Sequence, residues 1–374
     1  MNTPNNGRGR IARQSGLSVV ELLVSLVISM AVVAGSVQVV VSSKKNFLDQ
    51  DEVTFIQTNA RFAMDLLGKD IRMAGYMGCA TKDSMQVANS IDDSIGGYLS
   101  THGLVGFEGS DDSSGFPADI KADAKPNTDA ILLRHANTAG EMNVSSHNPN
   151  AATIHLQQDH NYKQESILMI ADASCRSVGI FQVSGPNGLP ANHINHNTGS
   201  GTHNCTKIIK GNFVCNASCK PTECDGYTSA AGGYGPGSKI MEFVSHAYFI
   251  GDSDIMPGMP ALKRSVLNAN GAPSTSVEEL ALGVEDMQIF YGVDSNRDGD
   301  VDQFHIATDM DLDGNGTITE DEWDQVLNVK ISLVFRSQNT VLPTAEARTL
   351  AGKDYNDRYM RQIVNSTINI RNRG

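Results

Sequence analysis

One stretch constrains the fold of this chain more than any other. The 25 residues from Leu17 to Val41 carry a single formal charge, that of Glu21. As a helix rising about 1.5 Å per residue, this stretch is long enough to cross a hydrocarbon core about 30 Å thick. Arginines precede it at positions 8, 10 and 13, which predicts a cytoplasmic N-terminus. The sequence therefore predicts a membrane-spanning helix with one acid near its start.

The helical pattern continues beyond the apolar stretch. Apolar residues recur every three to four positions from Phe55 to Ile71, and no proline occurs between Pro4 and Pro117. The step from Ala74 to Gly75 is a helix stop signal. We therefore expect one helix from residue 17 to about 74, with an amphipathic second half that packs against a globular head.

The rest of the chain reads as short strands between turns. Residues 80–130 and 185–238 are rich in Gly, Ser, Asn, Asp and Pro, which predicts long loops. Apolar, partly β-branched runs occupy 130–136, 152–156, 166–172, 178–184, 240–250, 280–294 and 326–337, and the C-terminal segment alternates in the same way. Such runs predict a mainly antiparallel sheet, so the expected fold class is α+β.

Charge and cysteine content narrow the function classes. The net charge of −13 argues against a nucleic-acid partner, because such proteins usually carry basic patches. An even number of cysteines behind a membrane segment predicts disulfides formed outside the cytoplasm. We expect Cys79 to pair with Cys175 and the other four to pair among themselves: Cys205, Cys215, Cys219 and Cys224.

Two metal alternatives remain open beside the disulfides. One is zinc held by Cys215 and Cys219 with His203 or Cys205. The other is a transition metal in the loop that contains His193, His196 and His203. The chain has no GxSxG, HExxH, P-loop or GxGxxG motif, so we do not expect an enzyme.

Much of the acid lies between Asp294 and Asp324, where two stretches match calcium-binding loops. The stretch "DLDGNGTITEDE" places oxygen-bearing residues at alternate positions of a 12-residue EF-hand loop, with Gly316 at position 6. Its candidate ligands are Asp311, Asp313, Asn315, Thr317 through its carbonyl, Thr319 and Glu322. A second register, from Asp309 to Glu320, lacks the apolar residue at position 8.

The earlier stretch, "DSNRDGDVDQFH", matches the first half of the same pattern. Its candidate ligands are Asp294, Asn296, Asp298, Asp300 through its carbonyl, and Asp302. Position 12 is His305, a poor calcium ligand, so another oxygen must complete this loop, and Asp309 is one candidate. We expect calcium to be a structural cofactor that closes these loops between strands. Solvated acidic turns are the alternative.

The order of features at the N-terminus resembles the leader of type IV prepilins and type II secretion pseudopilins. In "SGLSVVELL" a glycine and a basic stretch precede the apolar run, whereas a secretory signal has its cleavage site after it. The resemblance implies that a prepilin peptidase cuts after Gly16 and that Leu17 is then N-methylated. It also implies that Glu21, the fifth mature residue, pairs with the α-amino group of a neighbouring subunit.

Several later segments resemble the PilW family of minor pilins, among them "DIRMAGYMGC", "TDAILLRHA", "GVEDMQIFYGVDSNRDGDVDQF" and "STINIRNR". The resemblance implies a pilin-like fold: a leader at 1–16, a membrane or filament-core helix at 17–44 and a periplasmic head at 45–374. It implies initiation or capping of a type IV pilus, and thereby motility, adhesion or DNA uptake. The implied partners are other minor pilins, the major pilin, a tip adhesin, the prepilin peptidase and the inner membrane of a Gram-negative bacterium.

Two other functions stay open at this point. One is the J-type minor pseudopilin of a type II secretion system, which belongs to the same superfamily. The other is a calcium-dependent adhesin or binding module at the pilus tip. The gene neighbourhood would decide the first, and ligand capture with calcium and with chelator would decide the second.

Overall fold

The structure is a computed structural model, and it describes residues 18–79, 85–92, 97–100, 102–110, 115–199, 201–216, 218–220, 224, 226–227, 232–268 and 274–371. The chain divides into two compact units, Met1–Val53 and Thr54–Gly374. Helix α1 (Val19–Met73) begins in the first unit and ends in the second.

The first unit, as far as it is described, is the start of helix α1. This helix is long and apolar enough to cross a membrane, and its apolar side chains from Val19 to Val41 are exposed. These side chains are not part of a buried core in the described part of this unit. Their exposure therefore fits a helix that contacts lipid or neighbouring helices. The predicted membrane helix is supported on these grounds.

The second unit begins with the last part of helix α1, which buries one face. Ile56, Ala63, Leu67 and Ile71 recur at helical spacing and belong to a core that includes residues of the C-terminal sheet. The helix ends at Met73, and Gly75 follows with a φ of +74°. The predicted amphipathic half and its end near residue 74 are therefore confirmed.

A large sheet forms much of the second unit. Its eleven strands are β1 (Gln86–Asn89), β2 (Leu104–Phe107), β3 (Ala130–Asn148), β4 (Thr153–His160), β5 (Ile167–Ala171), β6 (Ser177–Gln182), β7 (Ala191–Asn195), β8 (Phe213–Val214), β9 (Lys239–Asp252), β10 (Pro260–Asn268) and β11 (Ser274–Leu282). The main order is β7-β4-β3-β9-β5-β6-β1-β8, with β2 paired to β3, and β10 between β9 and β11. All pairs are antiparallel except those of β1 with β6 and β8.

A smaller sheet and a hairpin complete the unit. The smaller sheet contains β12 (Val284–Val293), β13 (Gln303–His305), β14 (Val326–Thr340) and β17 (Tyr359–Asn369), in the order β13-β12-β14-β17. Strands β15 (Glu346–Leu350) and β16 (Lys353–Asp357) form the hairpin. Two short helices, α2 (Ala118–Lys121) and α3 (Glu320–Trp323), lie between strands. The architecture is α+β, as the sequence predicts.

The sequence reading of 280–294 as one run was wrong. Gly283 has a φ of +79° and separates β11, in the large sheet, from β12, in the smaller one. A Cβ at this position would lie 2.7 Å from the carbonyl oxygen of Arg336, so the sharp change of direction requires glycine. Short strands also occur within the predicted loops: β1, β2, β7 and β8.

The six cysteines form three disulfides. Cys79 pairs with Cys175 across 96 residues, as expected, and links the segment after helix α1 to the turn between β5 and β6. The other four pair among themselves, as Cys205–Cys219 and Cys215–Cys224. Because Cys215 and Cys219 are oxidised in these pairs, the zinc alternative built on them is wrong.

Candidate functional site

The second acidic loop brings three carboxylates together. One oxygen each of Asp311, Asp313 and Glu322 lies within 4.8 Å of the others. The loop runs from the segment after β13 into the short helix α3, so its last ligand candidate is carried by a helix. Three converging carboxylates are the arrangement that a hard cation such as calcium prefers.

Backbone hydrogen bonds shape the first half of this loop. The carboxylate of Asp311 accepts the N–H of Asn315 at 3.0 Å and that of Gly316 at 2.7 Å. The Asn315 side-chain oxygen in turn accepts the N–H of Thr317 at 2.8 Å. Gly316 has a φ of +84°, a conformation that favours glycine. The chain therefore bends so that alternate side chains turn toward its inside.

Glu322 closes the loop. Its carboxylate accepts the backbone N–H groups of Leu312 and Thr319, both at 2.6 Å. The next residue, Trp323, is buried and packs edge-on against Tyr291 of β12, with ring centroids 4.8 Å apart. Core packing therefore holds helix α3, and with it the carboxylate of Glu322, in place.

The first acidic loop repeats this bond pattern. Asp294 accepts the N–H of Asp298 at 3.1 Å and that of Gly299 at 2.8 Å, as Asp311 does in the second loop. The Asp298 side chain accepts the N–H of Asp300 at 3.0 Å, and Asn296 accepts that of Asp298 at 2.9 Å. The two loops thus share their backbone bonding over the first seven positions.

The loops differ in how they close. Asp302, at position 9, accepts the N–H of Ser295 at 2.9 Å and that of Asn296 at 3.3 Å. A further bond from the Ser295 hydroxyl lowers the pKa of Asp302. His305 pairs with Tyr291 in the sheet, and Asp309 lies in a 3₁₀ turn. In the first loop, the place that Glu322 takes in the second loop is therefore taken by Asp302 and not by Asp309. Among the described residues, three carboxylates converge in the second loop but not in the first.

The histidines that the sequence grouped in one loop have separate partners. The His193 ring lies opposite His155 across the strand pair β4–β7. His196 is buried, and its Nε2 lies 2.9 Å from Nε2 of His147. His203 Nδ1 lies 2.5 Å from a carboxylate oxygen of Asp92. The structure therefore does not bring His193, His196 and His203 together as one metal site.

The residues implicated in processing and assembly lie at the N-terminus. Glu21 is exposed in the first turn of helix α1. Gly16, Leu17 and the rest of the predicted leader lie outside the described residues.

Two polar clusters were not found from the sequence. Asp70 of helix α1 accepts hydrogen bonds from His246 and Tyr248 of β9, at 2.6 and 2.5 Å. His102 contacts Glu320 and Asp324 around helix α3. In both clusters the partners are more than 170 residues apart in the chain, so no local pattern links them.

The comparison with protein families bears on the C-terminal part of the chain. Residues 247–372 match the model of a family described as Type IV Pilus-assembly protein W. The matched segment begins within β9 and includes both acidic loops. No curated protein and no solved structure matches the chain.

The match covers about a third of the chain, and the membrane-length helix lies outside it, near the N-terminus. Over these residues the chain is similar to the PilW family, in agreement with the resemblance predicted from the sequence. This family is structural rather than enzymatic. The match supports a role in type IV pilus assembly.

Proposed function

We propose that the chain is a minor pilin that takes part in initiating or capping a type IV pilus, and thereby in motility, adhesion or DNA uptake. The observation that carries the proposal is the match of residues 247–372 to a pilus-assembly family in a chain whose first helix exposes its apolar side chains. A pilin-like role uses such a helix twice, first as a membrane anchor and then as part of a filament core.

In this proposal Glu21 forms the ion pair that joins neighbouring subunits during assembly. A carboxylate within lipid is unfavourable by about 3 kcal/mol or more, so it needs a partner of opposite charge. Glu21 is exposed and is the only charge between Leu17 and Val41. After cleavage behind Gly16 by a prepilin peptidase, the N-methylated amino group of Leu17 in a neighbouring subunit is that partner. The ion pair fixes the axial position of one helix against the next.

The second unit is the head in this proposal, and it lies on the periplasmic side of the inner membrane of a Gram-negative bacterium. Its three disulfides support that side, because they form in oxidising compartments. The head provides the surfaces that meet other minor pilins, the major pilin and a tip adhesin.

Deletion and complementation test the function in the bacterium that carries this chain. We expect deletion to reduce surface pili strongly and the full-length chain to restore them. A chain whose Gly16 is replaced, Gly16→Asp, would be made but not cleaved, and should not restore pili. Unchanged piliation together with loss of type II secretion would instead assign the chain to the secretion pseudopilins.

We also propose that calcium is a structural cofactor of both acidic loops. Convergence of Asp311, Asp313 and Glu322 within 4.8 Å supports the second loop, and its shared bonding pattern supports the first. A bound cation would offset the repulsion between these carboxylates. Because extracellular calcium is abundant, sites as weak as about 10⁻⁴ to 10⁻³ M would be filled outside the cell.

Terbium, which binds calcium sites, gives a direct probe of the second loop. Trp323 is the only tryptophan of the chain and directly follows Glu322, so it should sensitise terbium luminescence. We expect the full-length chain in detergent to give a signal that calcium displaces. Asp313→Asn should abolish it. Asp300→Asn, at position 7 of the first loop, is the control, because it removes an acid of the same region whose carbonyl, and not its side chain, is the candidate ligand. An unaltered signal in Asp313→Asn would exclude this loop.

A further inference from the structure

A second set of possible metal ligands lies on another side of helix α3. His102, Asp321 and Asp324 each offer one ligand atom, and these atoms lie within 4.8 Å of one another. Asp321 and Asp324 are three positions apart, which places them on the same side of the helical turn. His102 comes from the segment before β2, 222 residues away from Asp324. Tertiary structure, rather than a local acidic run, therefore builds this cluster.

The two ring nitrogens of His102 face different carboxylates. Nδ1 is hydrogen-bonded to Asp324, whose side chain is only 7% exposed. Nε2 lies 3.4 Å from Oε2 of Glu320. The same Glu320 oxygen accepts the hydroxyl hydrogen of Ser100 at 2.7 Å, which fixes the position of the carboxylate.

This arrangement matches a recurrent feature of histidine metal sites. A histidine that binds a metal through one nitrogen usually donates the N–H of the other to a carboxylate, which fixes the ring orientation. Glu320 lies 3.4 Å from Nε2, where it would accept that hydrogen bond, and Nδ1 faces Asp324. The outer carboxylate is thus present together with the three inner groups.

The charges around helix α3 also favour a cation. Glu320, Asp321 and Asp324 bring three carboxylates to one turn of chain, next to Glu322 of the acidic loop. Arg134 lies 3.7 Å from Glu320 and donates to the carbonyl oxygen of His102 at 2.7 Å, so one guanidinium faces this group of acids. A divalent ion between His102 and the two aspartates would reduce the repulsion among the carboxylates.

We propose that His102, Asp321 and Asp324 bind a divalent transition metal of the zinc type, oriented by Glu320. An imidazole nitrogen with two carboxylate oxygens suits zinc and its neighbours, whereas calcium takes oxygen ligands almost exclusively. The site shares helix α3 with the second acidic loop but uses none of that loop's carboxylates. The metal clamps the segment around His102 to helix α3. This inference does not depend on the pilus function or on calcium.

Cobalt is the probe for this site, because it replaces zinc and absorbs visible light when bound by protein ligands. The experiment uses the full-length chain in detergent, stripped of metal and then given excess calcium to occupy the acidic loops. We expect one cobalt per chain, displaced by one equivalent of zinc. Glu320→Gln should weaken binding about tenfold, the size of effect typical of an outer carboxylate.

Variants of the inner groups make the test specific. His102→Gln and Asp321→Asn should each weaken zinc binding by more than about tenfold. Asp321 is exposed, so its variant keeps the fold even if changes at His102 do not. His193→Gln is the matched control, because it removes a half-buried histidine from another part of the head. Asp313→Asn should leave zinc binding intact.

Three outcomes would overturn the proposal. The first is the absence of a stoichiometric cobalt or zinc site in the wild-type chain. The second is unchanged zinc affinity in both His102→Gln and Asp321→Asn. The third is loss of zinc binding in Asp313→Asn but not in His102→Gln, which would place the metal in the acidic loop.

Discussion

Asp302 and Glu322 hold equivalent places in the two acidic loops, because each carboxylate accepts the backbone N–H groups of the second and third residues of its loop. Asp302 does so from position 9 and Glu322 from position 12. The first loop is therefore a shortened form of the second, closed by a shorter side chain.

This equivalence predicts two calcium ions per chain, lost one at a time. Asp302→Asn should leave one ion, held by the second loop, and Glu322→Gln should leave one, held by the first. Equilibrium dialysis of the full-length chain measures both values. Asp300→Asn should keep two ions, since its carbonyl and not its side chain is the candidate ligand. Two ions retained in Asp302→Asn would show that this acid does not close a site.

The buried carboxylate of Asp70 should contribute strongly to stability. Burial opposes its ionisation, but the neighbouring His135 and hydrogen bonds from His246 and Tyr248 hold the pKa of Asp70 well below its usual value. This contribution is present above the unfolded pKa of about 3.9 and is lost only as pH falls through the lower folded value.

We expect Asp70→Asn to destabilise the head by about 1.5 to 3 kcal/mol, the typical effect of hydrogen bonds to a charged group. Thermal unfolding at pH 7, followed by circular dichroism, would report it. Asp65→Asn lies on the exposed side of the same helix and should change little. Equal melting temperatures for the two variants would contradict this role.

The buried pair His147 and His196 predicts acid sensitivity. His147 Nδ1 accepts the N–H of Tyr234 at 3.2 Å, so its proton is on Nε2 and is donated to Nε2 of His196. Burial lowers the pKa of His147 to about 4 and that of His196 to about 3. The unfolded chain takes up these protons near pH 6.5, so folding stability falls as pH falls below that value.

His196→Gln should remove part of this pH dependence. Between pH 7 and pH 4 the wild-type head should lose more stability than the variant, by an amount on the order of 3 kcal/mol. Melting temperatures over this range measure the difference. His193→Gln, a half-buried neighbour in the same segment, should follow the wild type. Parallel curves for His196→Gln and wild type would rule out the pair as an acid-sensitive element.

The disulfide that closes the longest loop, Cys79–Cys175, should stabilise the head more than the one that closes the shortest, Cys215–Cys224. Cys79–Cys175 spans 96 residues and Cys215–Cys224 spans 9. Loop-closure entropy gives about 4.7 kcal/mol for a loop near 100 residues and less than about 3 kcal/mol for one below 15. The double variant Cys79→Ser/Cys175→Ser should therefore melt lower than Cys215→Ser/Cys224→Ser. The reverse order would mean that strain or residual structure outweighs chain entropy here.

Features set by neighbouring residues could be predicted from the sequence. Apolar spacing along the helix gave its end near residue 74, and the acidic spacing identified both loops, because side chains a few positions apart determine these structures. Runs of β-branched residues located about half of the strands, among them the long strands β3, β9, β14 and β17. The break at Gly283 was missed, because the carbonyl of Arg336 that forbids a side chain there approaches from a distant strand.

Features made by distant residues could not be predicted in this way. His196 looked like a member of an exposed histidine loop, yet it is buried against His147 on a strand far along the chain. The clusters around Asp70 and His102 likewise form only in the folded chain, because their members are far apart in the sequence. Asp302 was identified as a ligand candidate, but its role in closing the loop depends on backbone bonds that spacing does not reveal.

The most direct test of the account is co-purification of the full-length chain with other pilus subunits from detergent-solubilised membranes. Wild type and Glu21→Ala would be compared, with Glu21→Asp as the variant that keeps the charge. We predict that all three are cleaved after Gly16 and that Glu21→Ala alone fails to bring down its partners. Cleaved Glu21→Ala that co-purifies with pilus subunits as well as wild type would contradict the central claim.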